Sequence, residues 1–256
     1  MRIARFTLDQ DPVYGVVQGE EGDEVIHAIG GDPLYTAVTP TGKTYRIDDV
    51  RLLAPVIPRS KIIGVAGNYR EAGNPNPRQV WFAKPNTSVA GPGDPIALDR
   101  QTTAPAFQEA ELALVIGRIA KNVPAAEAGQ VILGYTVAND VGYRYPDPQA
   151  DPRGFFAKCR DTFTPLGPWI ETDLEVAAGL PVRSWIDGLA QQDGATTDLV
   201  LGIGELVATA SSIATLLPGD VILTGTPAGA ARIEPGQRVT CEVGGIGAIT
   251  NPVVAR

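Results

Sequence analysis

Histidine is nearly missing from this chain of 256 residues: His27 is the only one, and it falls in the N-terminal part, where it reads as structural or exposed. Cysteine is scarce as well. Cys159 and Cys241 are the two present, far apart and in unlike contexts, so no disulfide framework is expected and both read as buried or inert thiols. No uncharged apolar run is long enough to span a bilayer, and the opening Met1-Arg-Ile-Ala-Arg lacks the apolar core of a signal peptide. The cytosol is therefore the expected location. Positive charge is in deficit, with 21 Lys and Arg against 29 Asp and Glu and a net charge of −8. That balance disfavours nucleic acid or an anionic membrane as the main partner. No repeat or low-complexity tract is visible.

What is present is ordinary for a globular protein: 44% of residues are hydrophobic, and the length suits one large core or one core plus a small appendage. The first part, residues 1–57, holds short alternating runs ("RIARFTL", "VYGVVQG", "EVIHAIG") separated by Gly, Asp and Pro, the pattern of a small antiparallel β domain. Pro55 and Pro58 punctuate the chain, and "KIIGVAG" begins the larger part, residues 58–256. Its apolar runs ("LALVIG", "VILGYTVAN", "WIETDL", "DVILTGT") are short, Val/Ile-rich and bounded by Gly or Pro, which is strand chemistry. Helices are expected only in "AAEAGQVIL" after Pro124 and in "LGIGELVATASSIATLL". The pattern predicts a mixed α/β chain dominated by β-structure.

Three acids break into these apolar stretches. Glu109 and Glu111 precede and open the run Leu112 to Ile116, and Asp140 ends another in "GYTVANDVGYR". Residues i and i+2 of a strand share a face, so Glu109 and Glu111 are expected side by side. Two such carboxylates repel unless solvent or a cation separates them. With a third acid they form an all-oxygen donor set suited to a hard divalent ion, Mg²⁺ or Mn²⁺. Glu-x-Glu alone also fits two solvated acids at a strand's start.

The blocks around the acids resolve that choice. In order, "KIIGVAGNYREAG", "VWFAKPNTSVAGPGDPI", "FQEAELALVIGR", "ILGYTVANDVGYR", "FFAKCRDTFTPLGPWI", "IDGLAQQDGATTDLVLGIGELVATAS" and "LLPGDVILTGTPAGA" resemble the fumarylacetoacetate hydrolase family from about Lys61 to the C-terminus. The resemblance implies a β-roll of mixed sheets with a metal in its mouth, and it puts Glu109, Glu111 and Asp140 at the family's ligand positions. Three carboxylates and a dication would leave one net negative charge, with open positions for the two oxygens of a 2-oxo acid. Lewis-acid stabilisation of an enolate would follow. The same resemblance implies Lys158 beside the metal, pairing with a carboxylate or a developing oxyanion. It also implies that the "TGTPAGA" turn, with Gly225 and Thr226, forms a nest for a substrate carboxylate. Arg144 matches a family arginine, read either as a substrate contact or as a structural ion pair. A homodimer is expected on the same ground.

The departures bear on mechanism. Hydrolytic relatives carry a lid pattern like NYxxHxxE, in which the histidine activates water and the glutamate orients it. In "GNYREAGNPNP" those two positions are Ala72 and Pro75. Seven residues past the metal aspartate, where the family commonly has glutamine, stands Asp147; it reads either as a replacement base or as a loop residue of "YPDPQADP". Glu71, Arg70 and Arg78 are the other lid groups available. Three functions remain open: a decarboxylase or keto–enol isomerase acting by enolate stabilisation on a small carboxylate substrate; a C–C hydrolase with a relocated base, Asp147 or Glu71; or a repurposed scaffold with a binding or biosynthetic role. One fold hosting several chemistries leaves that choice to the site.

Overall fold

The apolar runs become strands throughout the computed structural model, which describes residues 1–8, 11–20, 22–71, 73–147, 149–151 and 154–256. Ala72, the lid position where relatives place histidine, lies outside the described residues. In chain order the N-terminal strands are β1 (Arg2–Thr7), β2 (Val13–Gln18), β3 (Val25–Gly30), β4 (Thr39–Arg46) and β5 (Arg51–Leu53). They are followed by β6 (Ile62–Ala66), β7 (Val80–Lys84), β8 (Val89–Ala90), β9 (Ile96–Leu98), β10 (Ala106–Gln108), β11 (Ala110–Ile116), β12 (Ile132–Asn139) and β13 (Gly142–Tyr143). A short helix α1 (Phe155–Lys158) leads to β14 (Thr164–Glu171), β15 (Pro181–Ile186) and β16 (Leu189–Ala195). Helix α2 (Ile203–Ile213), β17 (Val221–Leu223), β18 (Ala231–Ile233), β19 (Arg238–Val243) and β20 (Gly247–Ala255) complete the chain.

Three sheets form. The largest runs β4-β3-β2-β1-β14-β12-β11-β17-β6-β7, with β5 on β1 and β8 on β14. A second is β16-β15-β19-β20-β9, and a third, small one is β13-β10-β18. The N-terminal meander has the antiparallel pairing its alternation predicts, and β1 is also hydrogen-bonded to β14 (Arg2↔Glu171, Ile3↔Ile170), so it extends the large sheet. Every residue of β11 is buried, as expected of a central strand covered on both faces. Helix α2 covers one side: Leu206, Val207 and Ala210 cluster with Val65, Leu114, Ile116 and Ile222. The other helical expectation is corrected. Ala125–Gln130 is a 3-10 segment, and Val131 and Ile132 turn instead into β12, where β-branched side chains suit a strand better than a continued helix.

Cys159 and Cys241 are both free. Among the described residues no helix is long and apolar enough to cross a membrane.

Candidate functional site

Strands β11 and β12 pair in register as far as Ala110↔Asn139. One residue further, both chains leave the large sheet. Glu109 leads back into β10, Asp140 and Val141 lead on into β13, and those two strands pair with each other in the small sheet. The Asp140 amide donates to the Glu109 carbonyl at 2.8 Å, which holds the crossing together at the point where the two acids sit. Glu109 and Glu111 therefore straddle a switch between sheets rather than sharing one regular strand. Their carboxylates still converge: ligand oxygens of Glu109, Glu111 and Asp140 all lie within 4.8 Å of one another.

Two of these acids are deep. Glu111 is 2% and Asp140 1% exposed, whereas Glu109 is only partly covered. Glu111 is the one charged residue in the otherwise apolar β11, and its Oε2 accepts a bond from the Gly225 amide at 2.6 Å. Burial, then the Asp140 and Glu109 carboxylates, push its carboxyl well above the usual range.

Two lysines answer the negative charge. Lys158, at the end of α1, donates to Glu109 Oε2 (2.7 Å), Asp140 Oδ2 (2.6 Å) and the Asp140 carbonyl (2.9 Å). Burial works against its ammonium, but Asp140 and Glu109 outweigh burial and hold it above the ordinary lysine value. Lys84, at the end of β7, was not singled out by the sequence. It is buried, bonds Asp140 Oδ1, and donates to the carbonyls of Phe163 (2.6 Å) and Val141 (3.2 Å). Burial pulls the Lys84 ammonium down, against the pull of Asp140. For Asp140, burial is overridden by Lys158 and Lys84, which keep its carboxylate below the usual range. The available signal for Lys84 was its position in "VWFAKP", a cation closing an apolar strand.

Lys158 reaches the acids across Gly142. A Cβ there would meet its Cδ and Cε at 2.9 Å and its Nζ at 3.1 Å. Gly142→Ala is expected to displace the ammonium and to cost about 1–3 kcal/mol of stability. Urea unfolding checks the cost, and a crystal structure of the variant checks the displacement.

The remaining sequence candidates separate. Arg144 stands at the rim, half exposed, its Nη2 3.4 Å from Glu109 Oε1 and its guanidinium 3.8 Å from the Phe107 ring centroid. Thr226 and Gly225 are both bonded within the protein. The Thr226 hydroxyl donates to the Ala110 carbonyl (2.8 Å) and accepts from Gln192 Nε2 (2.7 Å), so its proton is committed. Gly225, at φ +97°, gives its amide to Glu111, and a Cβ there would meet Asn68 Cβ at 2.9 Å. The turn named as a carboxylate nest thus also supports the acids. Arg70 is exposed and donates to the Leu199 carbonyl at 2.6 Å. Glu71 is exposed in a tight bridge with Asn74, and Arg78 is exposed further along the lid. Asp147 is exposed and accepts from the Gln149 amide at 2.9 Å in a local turn. His27 lies in β3, five strand spacings from β11, about 24 Å along the sheet.

Two buried polar atoms beside the cluster have no partner among the described residues: Tyr69 Oη and Asn139 Nδ2. Burial, followed by the nearby Glu111 carboxylate, raises the Tyr69 phenol. The Asn139 Oδ1 accepts from the Glu109 amide at 3.0 Å.

The donor set fits a hard divalent cation. All three groups are carboxylates, and their oxygens converge to within 4.8 Å of one another. With all three acids ionised and both lysines protonated, the five groups would carry one net negative charge. A dication would turn the site net positive, which corrects the count made without Lys84 and Lys158 and favours an anionic ligand.

A β-roll that changes sheets at a Glu-x-Glu and Asp cluster defines the class, and the chain belongs to the fumarylacetoacetate hydrolase family. Residues 61–254 match the family model for the fumarylacetoacetate (FAA) hydrolase C-terminal domain, and residues 1–55 match the Rv2993c-like N-terminal domain. Protein Rv2993c of Mycobacterium tuberculosis is 43% identical, the match covering 100% of this chain and 99% of that one. The crystal structure of 5-carboxymethyl-2-hydroxymuconate delta-isomerase from Mycobacterium smegmatis is 43% identical, with a TM-score of 0.92 and 100% of both chains covered. A maleylpyruvate hydrolase from Sphingobium sp. SYK-6, solved with manganese(II) and pyruvate, is 30% identical with a TM-score of 0.82, covering 100% of this chain and 99% of that one.

Proposed function

We propose that this chain is a Mg²⁺- or Mn²⁺-dependent isomerase of small 2-oxo dicarboxylates, moving a proton between keto and enol forms. Decarboxylation of a β-keto acid would use the same enolate stabilisation, with carbon dioxide leaving in place of the proton. The observation that carries this reading is the cluster of Glu109, Glu111 and Asp140 backed by two lysines. Those three acids would hold the ion, which when bound would polarise the substrate carbonyl and stabilise the enolate. The isomerase from Mycobacterium smegmatis, similar over the full chain, supports the reaction class. The manganese and pyruvate in the Sphingobium hydrolase support both the ion and a 2-oxo acid as its companion.

The chain's own residues supply the rest. Lys158 stays protonated, so it serves as a fixed positive charge and donor at the developing oxyanion and not as a base. To do so it exchanges one of its three present bonds, the partly exposed Glu109 being the nearest to solvent. Lys84 keeps Asp140 ionised from behind. Arg144, half exposed and stacked on Phe107, is placed to receive a second carboxylate at the rim. Isomerisation needs no base to activate water, which agrees with Ala72 and Pro75 at the lid positions where relatives carry His and Glu. It does need an acceptor for the carbon-3 proton, and Glu71 or Asp147, both exposed, would take it and return it through solvent.

Turnover of oxaloacetate enol and of an acylpyruvate by the Mn²⁺-loaded protein, with Glu109→Ala in parallel, tests this. Enol–keto conversion or carbon dioxide release without acylpyruvate cleavage is expected, and lost in Glu109→Ala. Acylpyruvate cleavage would overturn it in favour of a hydrolase using Asp147 or Glu71.

A further inference from the structure

Gln192 lies in β16, in a different sheet from β11 and 82 positions along the chain from Ala110, and is 2% exposed. Its amide is fully used. Oε1 accepts from the Ala110 amide (3.0 Å) and the Ser184 hydroxyl (2.9 Å), and Nε2 donates to Thr226 Oγ1 (2.7 Å) and the Pro227 carbonyl (2.7 Å). Ala110 is the residue between Glu109 and Glu111. Its other peptide group is held by the same network, because Thr226 donates to the Ala110 carbonyl at 2.8 Å. The neighbouring Gln108 joins too, donating to Ser184 Oγ at 2.9 Å. On the far side, the turn that Gln192 grips gives the Gly225 amide to Glu111.

From this connection we infer that Gln192 is a positioning residue of the carboxylate cluster, clamping the peptide between the two glutamates to the turn that supports Glu111. The inference rests on the reading of the cluster as a divalent-metal site. Only an amide of this length offers two acceptor and two donor positions on one group. An apolar replacement leaves the Ala110 amide unpaired in a buried place and frees the Thr226 turn. Groups behind metal ligands act on affinity by fixing the orientation of those ligands. Gly194 shows how closely the hairpin seats on the turn, since a Cβ there would meet Pro227 Cβ at 2.4 Å.

The test is calorimetric titration of Mn²⁺ into the full-length wild type, Gln192→Met, Thr226→Val, the double variant and Thr226→Ser. Each single loss is expected to weaken Mn²⁺ binding by about 10–100-fold. The double variant should be no weaker than the worse single one, because both cut one link. Thr226→Ser, which keeps the hydroxyl, should bind as wild type. If Gln192→Met fails to fold, Thr226→Val, at a partly exposed position, breaks the same link. Wild-type affinity in Gln192→Met or Thr226→Val, or losses that multiply in the double variant, would overturn the positioning role alone. A wild type that takes up no Mn²⁺ would overturn the metal reading and this inference with it.

Discussion

Lys84→Met is expected to lower the stability of the metal-free protein by about 3–5 kcal/mol, the cost of removing one partner from a buried ion pair. Asp140 would be left buried with Lys158 as its one remaining cation, and the Phe163 and Val141 carbonyls would lose their donor. Methionine fills a similar volume, so packing contributes little to the loss. Urea unfolding with an unchanged m-value is the measurement. Lys158→Met should cost less stability, because Lys158 and Glu109 are 15% and 16% exposed at the side chain and water can replace part of the pairing. Its loss should fall on turnover instead. A Lys84→Met protein as stable as wild type would show that Asp140 does not depend on it.

Glu111→Gln should have the opposite signature. The neutral amide removes a charge that burial and two neighbouring carboxylates oppose, while its oxygen still accepts from the Gly225 amide. The metal-free variant is therefore expected to be at least as stable as wild type. Its response to Mn²⁺ should vanish. In the wild type, Mn²⁺ at 100 times its Kd adds about 2.7 kcal/mol, roughly 5–10 °C in Tm for a chain of this size. Thermal melts with and without Mn²⁺ read both effects. A variant that melts far below wild type without metal would show that Glu111 is held by contacts the charge argument omits.

These two residues also mark how far the sequence could be read. Glu111 was legible because an acid inside an apolar strand has few explanations, and its spacing to Glu109 and Asp140 lay within blocks of a known family. Lys84 was not, since a lone lysine in a sequence reads as a surface residue, and only the fold reveals that its ammonium ends beneath Asp140. The same limit applies to Thr226. Its position was legible, but its bonds were not, because the partners of its hydroxyl come from β11 and β16. Gln192 reads as an ordinary polar strand residue until the hairpin is seated on the turn. The strands were legible from their Val/Ile-rich runs, while the sheet switch at Glu109 was not, as nothing in "FQEAEL" distinguishes a strand from a strand that changes partners. Ala125–Gln130 misled for a local reason: its composition is helical, but Pro124 starts it late and the β-branched pair after it ends it early.

The most direct test of the account is solvent-deuterium exchange at carbon 3 of a 2-oxo dicarboxylate, followed by NMR with the Mg²⁺-loaded protein. Rapid exchange without hydrolytic cleavage is expected, abolished by Glu109→Ala and by removing the metal. Absence of exchange in the metal-loaded wild type, or hydrolytic cleavage of the skeleton at the rate of exchange, would contradict this reading.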